Sequence, residues 1–72
     1  MKIYSPEEFG AALRRRRRKL GYTQAFVAAA TGFSISFISD LERGKATAEL
    51  GRALRLANLL GLDLELTERG TR

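Results

Sequence analysis

The sequence predicts an all-α domain of four to five helices with one short C-terminal strand that pairs across a homodimer. Three observations carry that prediction. Apolar residues line one helical face in the longer stretches. A glycine closes each stretch in turn, at Gly21, Gly32, Gly44 and Gly61. After the last glycine, Leu62-Asp63-Leu64-Glu65-Leu66-Thr67 alternates strictly, as a half-buried strand does. At 72 residues the whole chain, 1–72, reads as a single domain. A domain this small has little core and gains from sharing one with a partner.

The first helix is expected at about 6–20. Ser5 caps it, Pro6 fixes the first turn, and Glu7 and Glu8 sit at the positive end of the dipole. Phe9, Leu13 and Leu20 share one face. The second helix, about 24–31, starts behind the capping Thr23 and offers Val27, Ala28 and Ala30 for packing. The third, about 35–43, follows the N-cap Ser34. The fourth, about 48–60, carries Leu50, Ala53, Leu54, Ala57 and Leu60 at helical spacing. The strand, about 62–67, cannot satisfy its own backbone groups. Its partner is either the short Lys2-Ile3-Tyr4 stretch or the same strand of a second copy, or else the segment packs as extended chain on its own domain. Pairing with a second copy is preferred, and it makes Leu62, Leu64 and Leu66 dimer contacts.

Composition removes several function classes. With no cysteine there is no disulfide and no thiolate-bound metal, and with no histidine the commonest general base and metal ligand are missing. No catalytic residue, cofactor or metal site is therefore expected. No stretch has the length of a membrane span or the apolar run of a secretory signal, so the expected location is the cytoplasm and no membrane partner is expected. The net charge of +5 is unevenly placed: residues 1–36 hold seven basic and two acidic side chains, and residues 37–72 hold six of each. Such an imbalance points to a polyanion, most often nucleic acid.

The connection Thr31-Gly32-Phe33-Ser34 joins the second and third helices in the way a helix-turn-helix requires, although a plain helical hairpin has the same spacing. The outward face of the third helix separates the two readings. With Ile38 and Leu41 turned to the core, 100° steps place Ser36, Ser39, Asp40 and Arg43 on the opposite side. Serine hydroxyls and an aspartate suit base edges better than phosphates, and Ile35 at the helix start suits a thymine methyl. Arg43 and Lys45, near the helix end, suit phosphate.

Glu42 falls on the inward side of the same helix, and a buried carboxylate requires a partner. The run Arg14-Arg15-Arg16-Arg17-Arg18-Lys19 supplies candidates, of which Arg16 and Arg17 both lie near the apolar stripe of the first helix. Geometry leaves the choice between them open. The rest of the run faces water, as a solvated charge run or as a phosphate clamp formed by Arg14 and Arg18.

The residues Leu20-Gly21-Tyr22-Thr23-Gln24, Ala28, Gly32 and Ile35 through Lys45 resemble the Cro and phage-repressor type helix-turn-helix family, often called XRE. The resemblance covers about residues 9–60 and implies a lambda-repressor-like fold that binds a palindromic operator in double-stranded DNA as a homodimer. It implies a backbone or flanking-base contact for Gln24, and base readout by Ser34, Ile35, Ser36, Ser39 and Asp40. It also implies that the buried arginine of the family's arginine–glutamate pair is Arg17, opposite Glu42. The flanks, Ile3-Tyr4-Ser5-Pro6 and the leucine-alternating end, are similar to HipB-like antitoxins, which repress their own operon and bind a HipA-type kinase toxin.

The sequence departs from the family pattern in three respects. Phe26 stands where a capping-box acid is common, Thr31 where an apolar residue is usual, and Phe26, Phe33 and Phe37 together are more aromatic than such a domain normally exposes. The aromatics either pack on the first and fourth helices or form a patch for another protein. Two rivals to the antitoxin reading follow: a stand-alone repressor with no toxin, and a protein-interaction module that has lost DNA binding.

Overall fold

Short-range signals begin the first three helices in the structure, a computed structural model that describes residues 1–70. The helices are α1 (Pro6–Lys19), α2 (Gln24–Thr31), α3 (Ile35–Glu42) and α4 (Leu50–Leu59). Ser5, Thr23 and Ser34 stand in extended conformation before the first three, and each side-chain oxygen accepts the N–H of the third helical residue, at Glu8, Phe26 and Phe37. α1 adds Pro6 in its first turn with Glu7 and Glu8, and Arg16 to Lys19 in its last, where each charge opposes the dipole end.

α4 starts later than the spacing predicts. Residues 46–48 form a turn in which the Ala48 N–H reaches Lys45 O, and Glu49 is still extended (φ −67°, ψ 125°) before Leu50. No side chain caps α4.

α1, α3 and α4 end alike. After α3, the Gly44 N–H donates to Leu41 O at 2.9 Å and the Lys45 N–H to Asp40 O at 3.0 Å. This closure needs a left-handed residue, and Gly44 supplies it with φ +88°. Gly21 and Gly61 do the same for α1 and α4.

The core consists of Leu13, Val27, Ile38, Leu41, Ala53, Leu56, Ala57 and Leu60, with one or more residues from every helix or its end. Leu13, Ile38 and Leu56 are fully enclosed, each worth about 1.5–3 kcal/mol of transfer free energy. The buried face of α4 includes Leu56, which the spacing argument omits, whereas Leu50 at its start is 70% exposed. Leu20, placed on the apolar stripe of α1, is an exposed end residue.

α1 crosses α3 at Gly10. A Cβ at that position would lie 2.2 Å from Leu41 O and 2.8 Å from Glu42 O, so the two backbones meet where only glycine fits. This crossing sets the depth at which the end of α3 seats on α1.

The C-terminal strand expected at 62–67 is absent: no strand occurs among the described residues. Leu62 is half-buried on the core, its N–H taken by Ala57 O at 2.9 Å in the closure of α4. Beyond it, Leu64 is 47% and Leu66 fully exposed. The physical reason is backbone satisfaction: one copy of the chain gives the segment no neighbouring edge to pair with.

Candidate nucleic-acid interface

α2 and α3 are joined by Gly32, Phe33 and Ser34 alone. Gly32 turns the chain with φ +83°, and open space around it shows that conformation rather than crowding demands glycine there. Thr31 explains its polar character in this turn. Its hydroxyl donates to Val27 O at 2.7 Å and accepts the Phe33 N–H at 3.3 Å, so it binds the helix end to the turn.

α3 is two-faced. Ile38, Leu41 and Glu42 are buried, while Ser34, Ile35, Ser36 and Arg43 are exposed and Ser39 and Asp40 are half-buried. The four positions the helical wheel turns outward, Ser36, Ser39, Asp40 and Arg43, all lie outside the buried set. Ser34 Oγ already accepts the Phe37 N–H at 3.0 Å, so its hydroxyl proton remains for an outside acceptor.

The inward Glu42 meets Arg17. Nε and Nη2 of the guanidinium donate to the two carboxylate oxygens at 2.6 Å and 2.9 Å, and Nη1 donates to Tyr22 O at 2.7 Å. Arg16 turns elsewhere, donating Nε to Leu60 O at 2.8 Å and tying the end of α1 to the end of α4. The choice that geometry left open in the sequence is thus made by position along α1. Burial, the largest influence on Glu42, pushes its carboxyl upward. The hydrogen bonds from Arg17 and Gln24 and the charges of Arg17 and Arg14 together outweigh it and hold the group below the ordinary glutamate range. The hydrogen bond to Glu42 raises Arg17 still further above its ordinary value.

Gln24 joins this network. Its Nε2 donates to Glu42 Oε1 at 3.0 Å, which fixes the amide at the start of α2 relative to the end of α3. The sequence carried no signal for this bond beyond the inward angle of Glu42. Around it Arg14, Arg18, Ser39 and Arg43 line one shallow groove with Gln24, and Arg15 borders the adjoining hollow beside Arg14 and Arg18. Residues from three helices, far apart in sequence, therefore form one cationic surface with an amide and a hydroxyl in it.

Asp40 is more engaged than its outward position suggests. Its carboxylate pairs with Arg43 at 2.7 Å and lies 3.7 Å from Lys45 Nζ, while Arg43 also donates to the Ser39 hydroxyl. The i, i+3 spacing of Asp40 and Arg43 was the available sequence signal.

The three phenylalanines divide. Phe33 and Phe37 stack on each other with centroids 4.9 Å apart, packed on the core, and Arg55 of α4 lies 5.5 Å above Phe33. Phe26 is 53% exposed and stacks on Tyr22, centroids 4.8 Å apart. Among the described residues no carboxylate cluster is close enough to hold a metal ion, and no helix is long and apolar enough to cross a membrane.

Two helices joined by a glycine turn, with a cationic groove beside a short-side-chain outer face, define a DNA-binding helix-turn-helix domain. Comparison with known proteins places the chain in that class. The family described as "Helix-turn-helix domain" matches residues 8–70, and the chain belongs to it as an XRE-type transcriptional regulator. The uncharacterized HTH-type transcriptional regulator y4mF of Sinorhizobium fredii is 34% identical over 71 residues, covering 99% of this chain and 93% of the relative. Among solved structures, HipB in complex with the O4 20-mer is similar at 27% identity and TM-score 0.86, covering 97% of this chain and 99% of that one. HipB in the HipA-HipB-O2-O3 complex is similar at 27% identity and TM-score 0.87, with the same coverage.

Proposed function

We propose that this chain is an operator-binding autorepressor of the HipB antitoxin type, acting as a homodimer in the cytoplasm by occupying a promoter and without catalysis. The observation that carries the reading is the single surface on which the outward side of α3 meets Gln24, Arg14, Arg18 and Arg43. In it Ser34, Ile35, Ser36, Ser39 and Asp40 face base edges in the major groove, and Gln24, Arg14, Arg18, Arg43 and Lys45 face phosphates. Two copies joined through Leu62, Leu64 and Leu66 address half-sites one helical turn apart, roughly 34–36 Å. The near full-length likeness to HipB, solved in complex with the O4 20-mer and with HipA, O2 and O3, supports DNA and a HipA-type kinase as the partners.

Selection of bound duplexes from a random pool tests the first part. Enrichment of a palindrome with half-sites about ten base pairs apart is the expected result. No enrichment, with binding lost at modest salt, returns the chain to a protein-interaction role in which the open Phe26 and Tyr22 pair is the surface to probe. Co-purification with a HipA-type kinase separates an antitoxin from a repressor without a toxin.

A further inference from the structure

Two cations assigned to phosphate are already occupied by an anion of the same chain. Asp40 Oδ1 accepts from Arg43 Nη2 at 2.7 Å, and Oδ2 lies 3.7 Å from Lys45 Nζ. The second terminal nitrogen of Arg43 is held by Ser39. The cations are largely open to water, with side chains 70% and 53% exposed, and pairs so exposed add little to folding. Their effect falls on binding instead. A carboxylate oxygen engages a guanidinium much as a phosphate oxygen does. On DNA of arbitrary sequence Asp40 therefore neutralises Arg43 and Lys45 and is itself repelled by the backbone.

The balance differs where a base edge offers a donor. A cytosine N4 amino group can donate to one carboxylate oxygen of Asp40 and draw it into the major groove, away from the two cations. Arg43 and Lys45, at the end of α3, are then released toward the flanking phosphates. We propose that Asp40 is a specificity-determining residue that withholds Arg43 and Lys45 from phosphate on mismatched DNA and yields them where a cytosine amino group engages it. This rests on the operator-binding reading.

The test is a salt titration on the selected duplex and on a random duplex, for the natural chain, Asp40→Asn and Glu68→Gln. The last variant removes the same charge from an exposed residue far along the chain from α3. For the natural chain, log affinity against log salt is expected to be steeper on the selected duplex than on random DNA by up to ~1.8, since each added phosphate contact contributes about 0.9. Asp40→Asn is expected to steepen the random-DNA slope by ~1–2 and raise random-DNA affinity several-fold, narrowing the preference, whereas Glu68→Gln does neither. An unchanged random-DNA slope in Asp40→Asn, or an equal change in Glu68→Gln, overturns the proposal. A natural chain that binds neither duplex overturns the operator-binding reading itself and this proposal with it, a different result from a chain that binds but ignores Asp40→Asn.

Discussion

Arg17 and Glu42 face each other with two guanidinium nitrogens, Nε and Nη2, on the two carboxylate oxygens, at 2.6 Å and 2.9 Å, and with only 7% and 9% of the residues exposed. A pair so enclosed gains little against apolar replacements, but removing one member strands the other charge. Glu42→Ala should therefore lower stability by roughly 3–5 kcal/mol. Urea denaturation checks this, and a midpoint equal to that of the natural chain would remove the pair from the energetics of the fold.

Acid sensitivity follows from the same carboxylate. Glu42 is held below its ordinary range in the folded chain, so as pH falls the unfolded chain takes up the proton first. The pair's contribution is then complete at neutral pH, declines as pH drops through the ordinary glutamate range, and is exhausted once the folded-state group is also protonated. Thermal melts from neutral to acid pH should show this loss, and Glu42→Gln should flatten it. A Glu42→Gln profile as steep as the natural one would assign the acid loss to other carboxylates.

Gly10→Ala separates helix propensity from packing. Within a helix alanine is favoured over glycine by about 1 kcal/mol. Here its Cβ meets two backbone carbonyls of α3, neither of which can turn aside as a side chain does. Overpacking costs of about 1–3 kcal/mol are the usual range, and backbone contact places this site at or above the upper end. Net destabilisation in chemical denaturation is expected, and a more stable variant would show that α1 and α3 do not approach this closely.

The segment 62–67 carries the dimer proposal. Leu64 and Leu66 expose apolar surface that one copy leaves uncovered. Leu64→Asp should leave the helical circular dichroism intact and yield monomers in analytical ultracentrifugation. A dimer that survives this change would refute pairing through residues 62–67.

Much of this architecture is legible in the sequence because its signals are local. Ser5, Thr23 and Ser34 each satisfy a donor only three residues away, so a short window contains both partners. The inward turn of Glu42 is likewise a matter of angle along one helix. What escapes is what two distant segments decide together. Gly10 is silent in a pattern search, since its meaning is the carbonyl of Leu41 against it. Counting from Leu50 and counting from Ala53 give equally regular faces for α4, and only the tertiary core selects the one with Leu56. The alternation at 62–67 describes a strand's side chains, but an edge to bind is a property of a second segment.

The two sides of α3 divide its labour: Ile38, Leu41 and Glu42 hold the molecule together, and Ser36, Ser39, Asp40 and Arg43 take no part in the apolar core. Descendants of a duplicated gene with this layout can diverge at the outer four positions while inheriting the same scaffold. Few substitutions then separate one regulatory circuit from another, and new recognition need not wait on new folding.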